Sequence, residues 1–144
     1  MHSSANSLLK KSVLRVALIV EMSGIYGRQI LDGIARYQQS HRPWSIFLEQ
    51  RELRAPPPPW LLSRHWDGII CRSTTTELAR DFLRHKVPVV DLNDLYSGLG
   101  LPRIWSDMRA IGRLGAEHFL ERGFRQFGFC GFKDEKWSTE RGEG

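Results

Sequence analysis

The chain has 144 residues, 41% of them hydrophobic and 26% charged, the composition of a single globular domain. It contains no run of 18 apolar residues that could cross a membrane, and its start, MHSSANSLLKKS, lacks the apolar segment of a secretory signal. The net charge of +5 permits contact with nucleic acid, but the arginines are spread along the chain and no helix-turn-helix pattern is visible. We therefore expect a cytoplasmic protein with no membrane partner.

The first predicted element is a strand, VLRVALIVE (13–21), behind a tail (1–12) that we expect to be disordered. After the strand, EMSGIYGR breaks at Ser-Gly before a helix begins, and such a turn leaves backbone N–H groups free for a polar ligand. The helix is predicted to bury one face, formed by Gly27, Ile30, Leu31, Ile34 and Tyr37.

Two further strands and a helix are predicted in the middle of the chain. WSIFLE (44–49) is the second strand, and the four prolines that follow it predict a stiff loop before a short helical piece, WLLSR. DGIICR (67–72) is the third strand. In the next helix Thr74 and Glu77 have the spacing of an N-terminal capping pair, with the inward side formed by Leu78, Ala79, Phe82 and Leu83.

The last part of the chain begins with a fourth strand, VPVVDL (87–92), and a short strand, RIWS (103–106). The helix after them is expected to be capped by Ser106 or Asp107, to end at Gly123, and to pack through Ile111, Leu114, Gly115 and His118. FRQFGFCGF (124–132) is predicted to be the last strand.

The alternation of strands and helices predicts an α/β fold: a three-layer parallel sheet with helices on both faces. Ligands of such sheets bind outside the carboxyl ends of the strands. The residues at these ends are nearly all polar, and they include Ser23, Arg72, Asp91, Asn93 and Asp107, with Tyr26, Trp105 and Trp137 nearby.

These strand-end residues suit a sugar better than a phosphate. Carboxylates and amides bond to hydroxyl groups, an arginine can donate to two oxygens, and aromatic rings stack on C–H faces. The glycine-rich signatures of mononucleotide and dinucleotide sites are absent from the turn after the first strand, although that turn could also exist without any ligand.

Catalytic and metal chemistry find little support. The chain has no GxSxG or HExxH motif, and nothing in the spacing of Asp91, Asp94 and Asp107 selects a paired-carboxylate hydrolase. The five histidines lack metal-ligand spacing, and Cys71 and Cys130 lie in apolar runs as reduced thiols. We expect neither an enzyme nor a bound metal or cofactor.

The segment WSDMRAIGRLGAEHFLERGFRQFGFCGF, with KDEKWSTERGEG after it, resembles the lac and galactose repressor family of sugar-responsive regulators. The matching positions are Asp107, Gly112 or Gly115, Ala116, His118, Gly123, Phe124, Gly131, Ser138, Arg141 and Gly144. Within that group the chain is most similar to bacterial xylose regulators, which YGRQILDGIARY and WSTER also resemble.

This resemblance implies a two-lobed, periplasmic-binding-protein-like sensor of xylose or a related pentose, with residues 13–132 as the first lobe and 133–144 as the start of the second. It implies that Asp107 accepts sugar hydroxyls, Arg141 donates to sugar oxygens, Trp137 stacks on the sugar and Ser138 caps the second-lobe helix. The turn from Ser23 to Tyr26 would form the floor of the site.

The chain stops at Gly144, where the second lobe of such a sensor would begin, so we expect a fragment that contacts DNA only through a domain absent from this chain. Exposure of Phe127, Phe129 or Cys130 would follow, with self-association through that face or a poorly ordered tail from about residue 133. A homodimer is a separate expectation, which the resemblance implies through dimer contacts of the first lobe. Two other classes stay open: a flavodoxin-like binding or receiver module, which the single acid Glu21 after the first strand weakens, and a small carbohydrate-active enzyme.

Overall fold

A four-stranded parallel sheet forms the centre of the protein. The computed structural model describes residues 13–52, 55–93 and 95–144. Its strands are β1 (Arg15–Ile19), β2 (Ser45–Leu48), β3 (Gly68–Cys71) and β4 (Val89–Asp91), in the order β2-β1-β3-β4. The predicted α/β class and the first four predicted strands are confirmed, whereas the tail predicted at residues 1–12 lies outside the described residues.

The two central strands carry the hydrophobic core. Val16 to Val20 are all buried, and because neighbouring strand residues point to opposite faces, both faces of β1 are covered. One core cluster joins Ala17, Ile19, Leu61, Trp66, Ile69, Cys71, Leu78, Phe82 and Val89. Burial raises the pKa of the Cys71 thiol to about 11, so this thiol stays neutral and acts as a small apolar side chain.

Five helices accompany the sheet: α1 (Ile25–Ser40), α2 (Trp60–Ser63), α3 (Thr76–His85), α4 (Met108–Glu121) and α5 (Lys136–Glu143). None of these helices, within the described ranges, combines the length and hydropathy that a bilayer-crossing helix requires.

Helix α3 is capped one residue later than predicted. The hydroxyl of Thr75 accepts a hydrogen bond from the Leu78 N–H at 3.2 Å, whereas Thr74 is buried and donates to the Cys71 carbonyl at 3.4 Å. Hydrogen bonds from its own backbone N–H and from Thr75 hold the pKa of Glu77 below its usual value. The predicted inward residues Leu78, Ala79 and Phe82 are buried, but Leu83 is 49% exposed.

Helix α1 is less buried than its apolar face predicted. Gly27 is its one buried residue, while Ile30, Leu31 and Ile34 are half-buried. Tyr37 is exposed, and its ring stacks on that of His41 at 3.9 Å between centroids. Gly27 has no side chain because its backbone approaches that of Glu21 too closely for a Cβ atom.

The strand predicted at residues 124–132 is wrong, since no strand is assigned there in the structure and every residue of the segment is exposed. The chain leaves α4 through Gly123, which has a positive φ of 85°, and the rings of Phe124 and Phe127 then pack back on Phe119 of α4. The ring of Phe129 lies so near Gly142 that a Cβ atom there would be 2.9 Å from it. The RIWS strand is reduced to a single bridge between Arg103 and Asp91.

Residues after 133 form a helix and not the poorly ordered tail that was one expectation. Helix α5 packs on the first turns of α4, where the backbone of Arg141 lies against Gly112 and the chain end lies against Arg109. Of the two glycines in the family pattern, Gly112 is therefore the one that close packing requires, whereas Gly115 has open space around it.

Two expectations for α4 are confirmed and one is wrong. Asp107 caps the helix by accepting from the Ala110 N–H at 2.8 Å, and Gly123 ends it. The predicted packing residues Ile111, Leu114, Gly115 and His118 are exposed, because α5 covers the side of α4 that contains Met108 and Gly112.

Replacement of Gly112 tests the packing of the two helices. We expect Gly112→Ala to lower the free energy of unfolding by about 1–3 kcal/mol, because the new methyl group would push α5 away. Gly115→Ala is the matched control and should leave stability unchanged or raise it by up to about 1 kcal/mol through helix propensity. Urea denaturation followed by circular dichroism measures both, and equal effects of the two variants would contradict the close contact.

Candidate ligand-binding site

A cavity of about 580 Å³ opens at the carboxyl ends of β3 and β4. One wall follows these strands directly, with Arg72, Ser73, Thr74, Thr75 and Asn93. The loop after β4 adds Leu95 and Tyr96, the proline segment adds Ala55, Pro56 and Pro57, and the segment before and within α5 adds Phe132, Asp134, Glu135 and Trp137. Charged groups, hydroxyls and aromatic rings thus face the same space.

A buried ion pair holds Arg72 at the rear of this cavity. Arg72 Nη1 donates to Oε1 of Glu21, and the two side chains are only 8% and 3% exposed. The guanidinium also lies 4.6 Å from the centroid of the Tyr26 ring. Since Glu21 follows β1 and Arg72 follows β3, the pair ties the ends of two adjacent strands together.

Asp91 lies behind the cavity and holds Asn93, which lines the cavity, in place. Its Oδ2 accepts from Asn93 Nδ2 at 2.5 Å, and its Oδ1 accepts from the Asn93 N–H at 3.2 Å. Asn93 Oδ1 in turn accepts from the N–H groups of Leu95 and Tyr96, at 3.0 and 2.6 Å. Both oxygens of the Asp91 carboxylate therefore accept hydrogen bonds from Asn93, and it is Asn93 and Tyr96 that line the cavity.

Helix α5 presents an aromatic wall opposite the strand ends. The Trp137 ring lies 5.3 Å from the Phe132 ring, and its Nε1 donates to Glu135 Oε2 at 3.2 Å. The Arg141 guanidinium also lies over this tryptophan ring, 5.0 Å from its centroid, and its Nε donates to the sulfur of Met108 at 3.3 Å. Arg141 thus supports Trp137 from outside the cavity.

Ser138 was expected to cap this helix, and that expectation is wrong. The helix begins after Glu135, and Ser138 is a buried residue within it. Its hydroxyl accepts from the Phe132 N–H at 2.8 Å, which fixes Phe132 relative to α5.

Of the seven predicted site residues, the structure places only Arg72 and Trp137 in the cavity lining. Tyr26, Asp91 and Arg141 lie one contact behind it. Ser23 is exposed beside the turn, with its carbonyl accepting from Arg28 Nη1 at 2.9 Å, and Asp107 lies in a separate depression with Trp105 and Glu140.

Sequence reasoning missed the lining contributed by loops. Asn93 was noted at a strand end but not chosen, and only its position two residues after Asp91 could have indicated it. No pattern in the sequence indicated Tyr96, Phe132 or the prolines. Among the described residues no group of three His, Cys, Asp or Glu side chains is placed to hold a metal ion.

A parallel α/β sheet whose carboxyl edge bears a mostly apolar, ring-lined cavity with a few polar groups is the arrangement of a small-molecule-binding domain. The family described as the XylR N-terminal domain matches residues 15–100, which is more than half of the chain. The chain therefore belongs to this family.

Individual relatives agree with this assignment. The xylose operon regulatory protein of Haemophilus influenzae is 30% identical over 138 residues, and that of Escherichia coli K12 is 28% identical over 138 residues. Each alignment covers 88% of this chain but 34% of the relative, so the chain spans about a third of their length. A solved structure of a xylose-binding transcription activator, xylR, is 25% identical with a TM-score of 0.71, over 91% of this chain and 34% of that one.

The Glu21–Arg72 pair can be tested by a double-mutant cycle. We expect Arg72→Met to lower the free energy of unfolding by about 3–5 kcal/mol, because it leaves the Glu21 carboxylate buried without its cation. The double variant Glu21→Gln with Arg72→Met should be more stable than Arg72→Met alone, since no buried charge remains. Urea denaturation measures the cycle, and purely additive effects would mean that the two side chains do not interact.

Proposed function

We propose that this chain is a sugar-sensing domain, for xylose or a related pentose, of a DNA-binding transcription regulator. Membership of the XylR N-terminal domain family supports this, as do relatives whose names describe xylose operon regulation and xylose binding. The sugar would bind without being chemically changed, and the protein would act in the cytoplasm.

The observation that carries the proposal is the cavity at the carboxyl ends of β3 and β4. Its volume of about 580 Å³ lies within the roughly 300–1,000 Å³ typical of small-molecule sites. A sugar has hydroxyl groups around its edge and C–H groups on its faces. For the hydroxyl groups, the cavity offers donors and acceptors from Arg72, Ser73 and Glu135. For the C–H faces, it offers the rings of Tyr96 and Trp137.

In this proposal Arg72 donates to sugar oxygens and Trp137 stacks on the sugar ring. Tyr26 and Asp91 hold Arg72 and Asn93 in place through the contacts described above. Ser23, Asp107 and Arg141 lie outside the lining, so their direct contact with the sugar requires further closure of the site, as in two-lobed sensors that close around a ligand.

Sugar binding would act on transcription by shifting the population between two arrangements of the regulator. DNA contact is assigned to a further domain of a longer protein, because the relatives extend well beyond the segment that this chain matches. The arginines are spread along the sequence of the present chain and do not cluster on one segment, which favours that assignment.

Calorimetry with D-xylose and other pentoses tests the site directly. We expect weak binding to the 144-residue chain, and an affinity about tenfold lower for Trp137→Ala, because the stacking surface is lost. Trp137→Phe should lose less affinity than Trp137→Ala, because phenylalanine keeps a ring for stacking. Some loss remains, since the hydrogen bond to Glu135 is removed.

Trp44→Ala is the matched control, because Trp44 is also partly buried and packs on an aromatic ring, that of Tyr37, but does not line the cavity. It should bind xylose like the unmodified chain. Binding of no pentose by the unmodified chain would overturn the proposed function, and equal affinities of Trp137→Ala and Trp44→Ala would remove Trp137 from the site.

A homodimer is a further part of the proposal, and the phenylalanine face supports it. We define this face by Phe124, Phe127, Phe129 and Phe132, which are 54%, 49%, 58% and 69% exposed. The segment that carries it is exposed, has strand-forming composition and belongs to no strand in the structure, so a second copy would cover it by edge-to-edge pairing.

Light scattering over a range of concentrations tests this association. We expect the unmodified chain to form dimers as concentration rises and Phe127→Glu to remain monomeric, because the charge would be buried in the contact. Leu62→Glu is the control, since Leu62 is similarly exposed but lies on α2. A monomer at every concentration would contradict the association.

A further inference from the structure

We propose that Arg51 is a positioning residue, which fixes the proline segment (Ala55 to Pro59) as a wall of the cavity and so sets its width. This inference rests on the proposed function for its effect on sugar binding, but not for its effect on the wall itself. Arg51 does not line the cavity, so its influence on a ligand would pass through Ala55, Pro56 and Pro57, which do.

The proline segment needs an external anchor for a chemical reason. Proline has no backbone N–H, so four consecutive prolines cannot donate to a strand or close a helical turn. Their carbonyl groups remain as acceptors, and a donor from elsewhere in the protein can fix those of the half-buried Ala55 and the exposed Pro56, which would otherwise bond to water. An arginine side chain can supply two such donors from one nitrogen.

Arg51 supplies these donors. Its side chain follows β2 and is buried, at 7% exposure, although it carries a charge. Nη2 donates to the Ala55 carbonyl at 2.9 Å and to the Pro56 carbonyl at 2.5 Å. Hydrogen bonds from a charged donor are about twice as strong as neutral ones, so the start of the proline segment is firmly held.

The backbone of Arg51 connects this anchor to the rear of the cavity. Its carbonyl accepts from the Met22 N–H at 3.1 Å, and Met22 directly follows Glu21, the partner of Arg72. The residues that follow β1 therefore hold both parts of the cavity. Glu21 binds the guanidinium of Arg72, and Met22 binds the backbone of Arg51, whose side chain holds Pro56. Loss of the Arg51 side chain would release the wall while leaving Arg72 in place.

A fixed wall has a consequence for selectivity. Preorganised sites avoid the entropic cost of ordering their own loops when a ligand binds, and a wall fixed in position does not move aside for a sugar with one more carbon group. Arg51 should therefore contribute both to affinity for a pentose and to discrimination against a hexose.

Calorimetry of the 144-residue chain with D-xylose and D-glucose tests this consequence. Arg51→Ala is expected to bind xylose roughly tenfold more weakly and to lose most of the preference for xylose over glucose. Arg51→Lys, whose ammonium group can still donate to both carbonyls, should recover part of each. A general loss of stability alone would not change the ratio between the two sugars.

Glu49→Ala is the matched control. The Glu49 carboxylate accepts from Trp60 Nε1 at 2.6 Å, so it anchors the other end of the same segment, but neither residue lines the cavity. This variant should lose stability while keeping the affinity and the preference for xylose. An unchanged preference in Arg51→Ala, or an equal change in Glu49→Ala, would overturn the inference.

A second measurement tests, without any ligand, whether Arg51 fixes the proline segment. Spin labels at Pro57→Cys and Arg80→Cys, in a Cys130→Ser background, report the distance between the proline segment and α3. Arg51→Ala should broaden this distance distribution, whereas Glu49→Ala should not. If the unmodified chain binds neither sugar, the proposed function fails, and the spin-label distances alone decide whether Arg51 fixes the wall.

Discussion

The buried pair of Glu21 and Arg72 is the contact on which the carboxyl edge of the sheet depends. A buried guanidinium beside a buried carboxylate is stabilised by the matched charge, and here the match comes from the neighbouring strand in the sheet. The same pairing explains Gly27, because the helix after β1 must pass close to Glu21. One electrostatic requirement thus determines the ends of β1 and β3 and the start of α1.

The cavity is built around that edge from segments without regular structure. The proline segment, the loop that contains Asn93 and Tyr96, and the residues before α5 each lack a ladder of backbone hydrogen bonds. Each is held instead by side chains, respectively Arg51, Asp91 and Ser138. Buried polar residues that do not touch the cavity therefore matter for its shape as much as the residues that line it.

Sequence patterns predicted the sheet and its polar edge well, because β1 and β3 are apolar runs whose burial depends little on distant segments. They predicted the faces of α1 and α4 less well, since the partner that covers a helix is a tertiary property. The strand expected at residues 124–132 failed for the same reason. Its composition favours a strand, but a strand exists only where an edge is available to pair with, and after Gly123 the rings of Phe124 and Phe127 pack back on α4 instead.

The amino-acid sequence by itself determined the α/β class, the order of the first four strands along the chain and the family resemblance, and it indicated the carboxyl edge of the sheet as the place of the candidate cavity. These follow from periodicity and local motifs, which act over a few residues. Only the tertiary structure decided that Asp91 supports Asn93, that Arg141 supports Trp137, and that Gly112 and not Gly115 admits α5. The Asp91–Asn93 and Arg141–Trp137 contacts join residues close in sequence, but which member of each pair lines the cavity depends on the other segments around it, as does the contact of α5 with Gly112. Local patterns do not encode those longer-range distances.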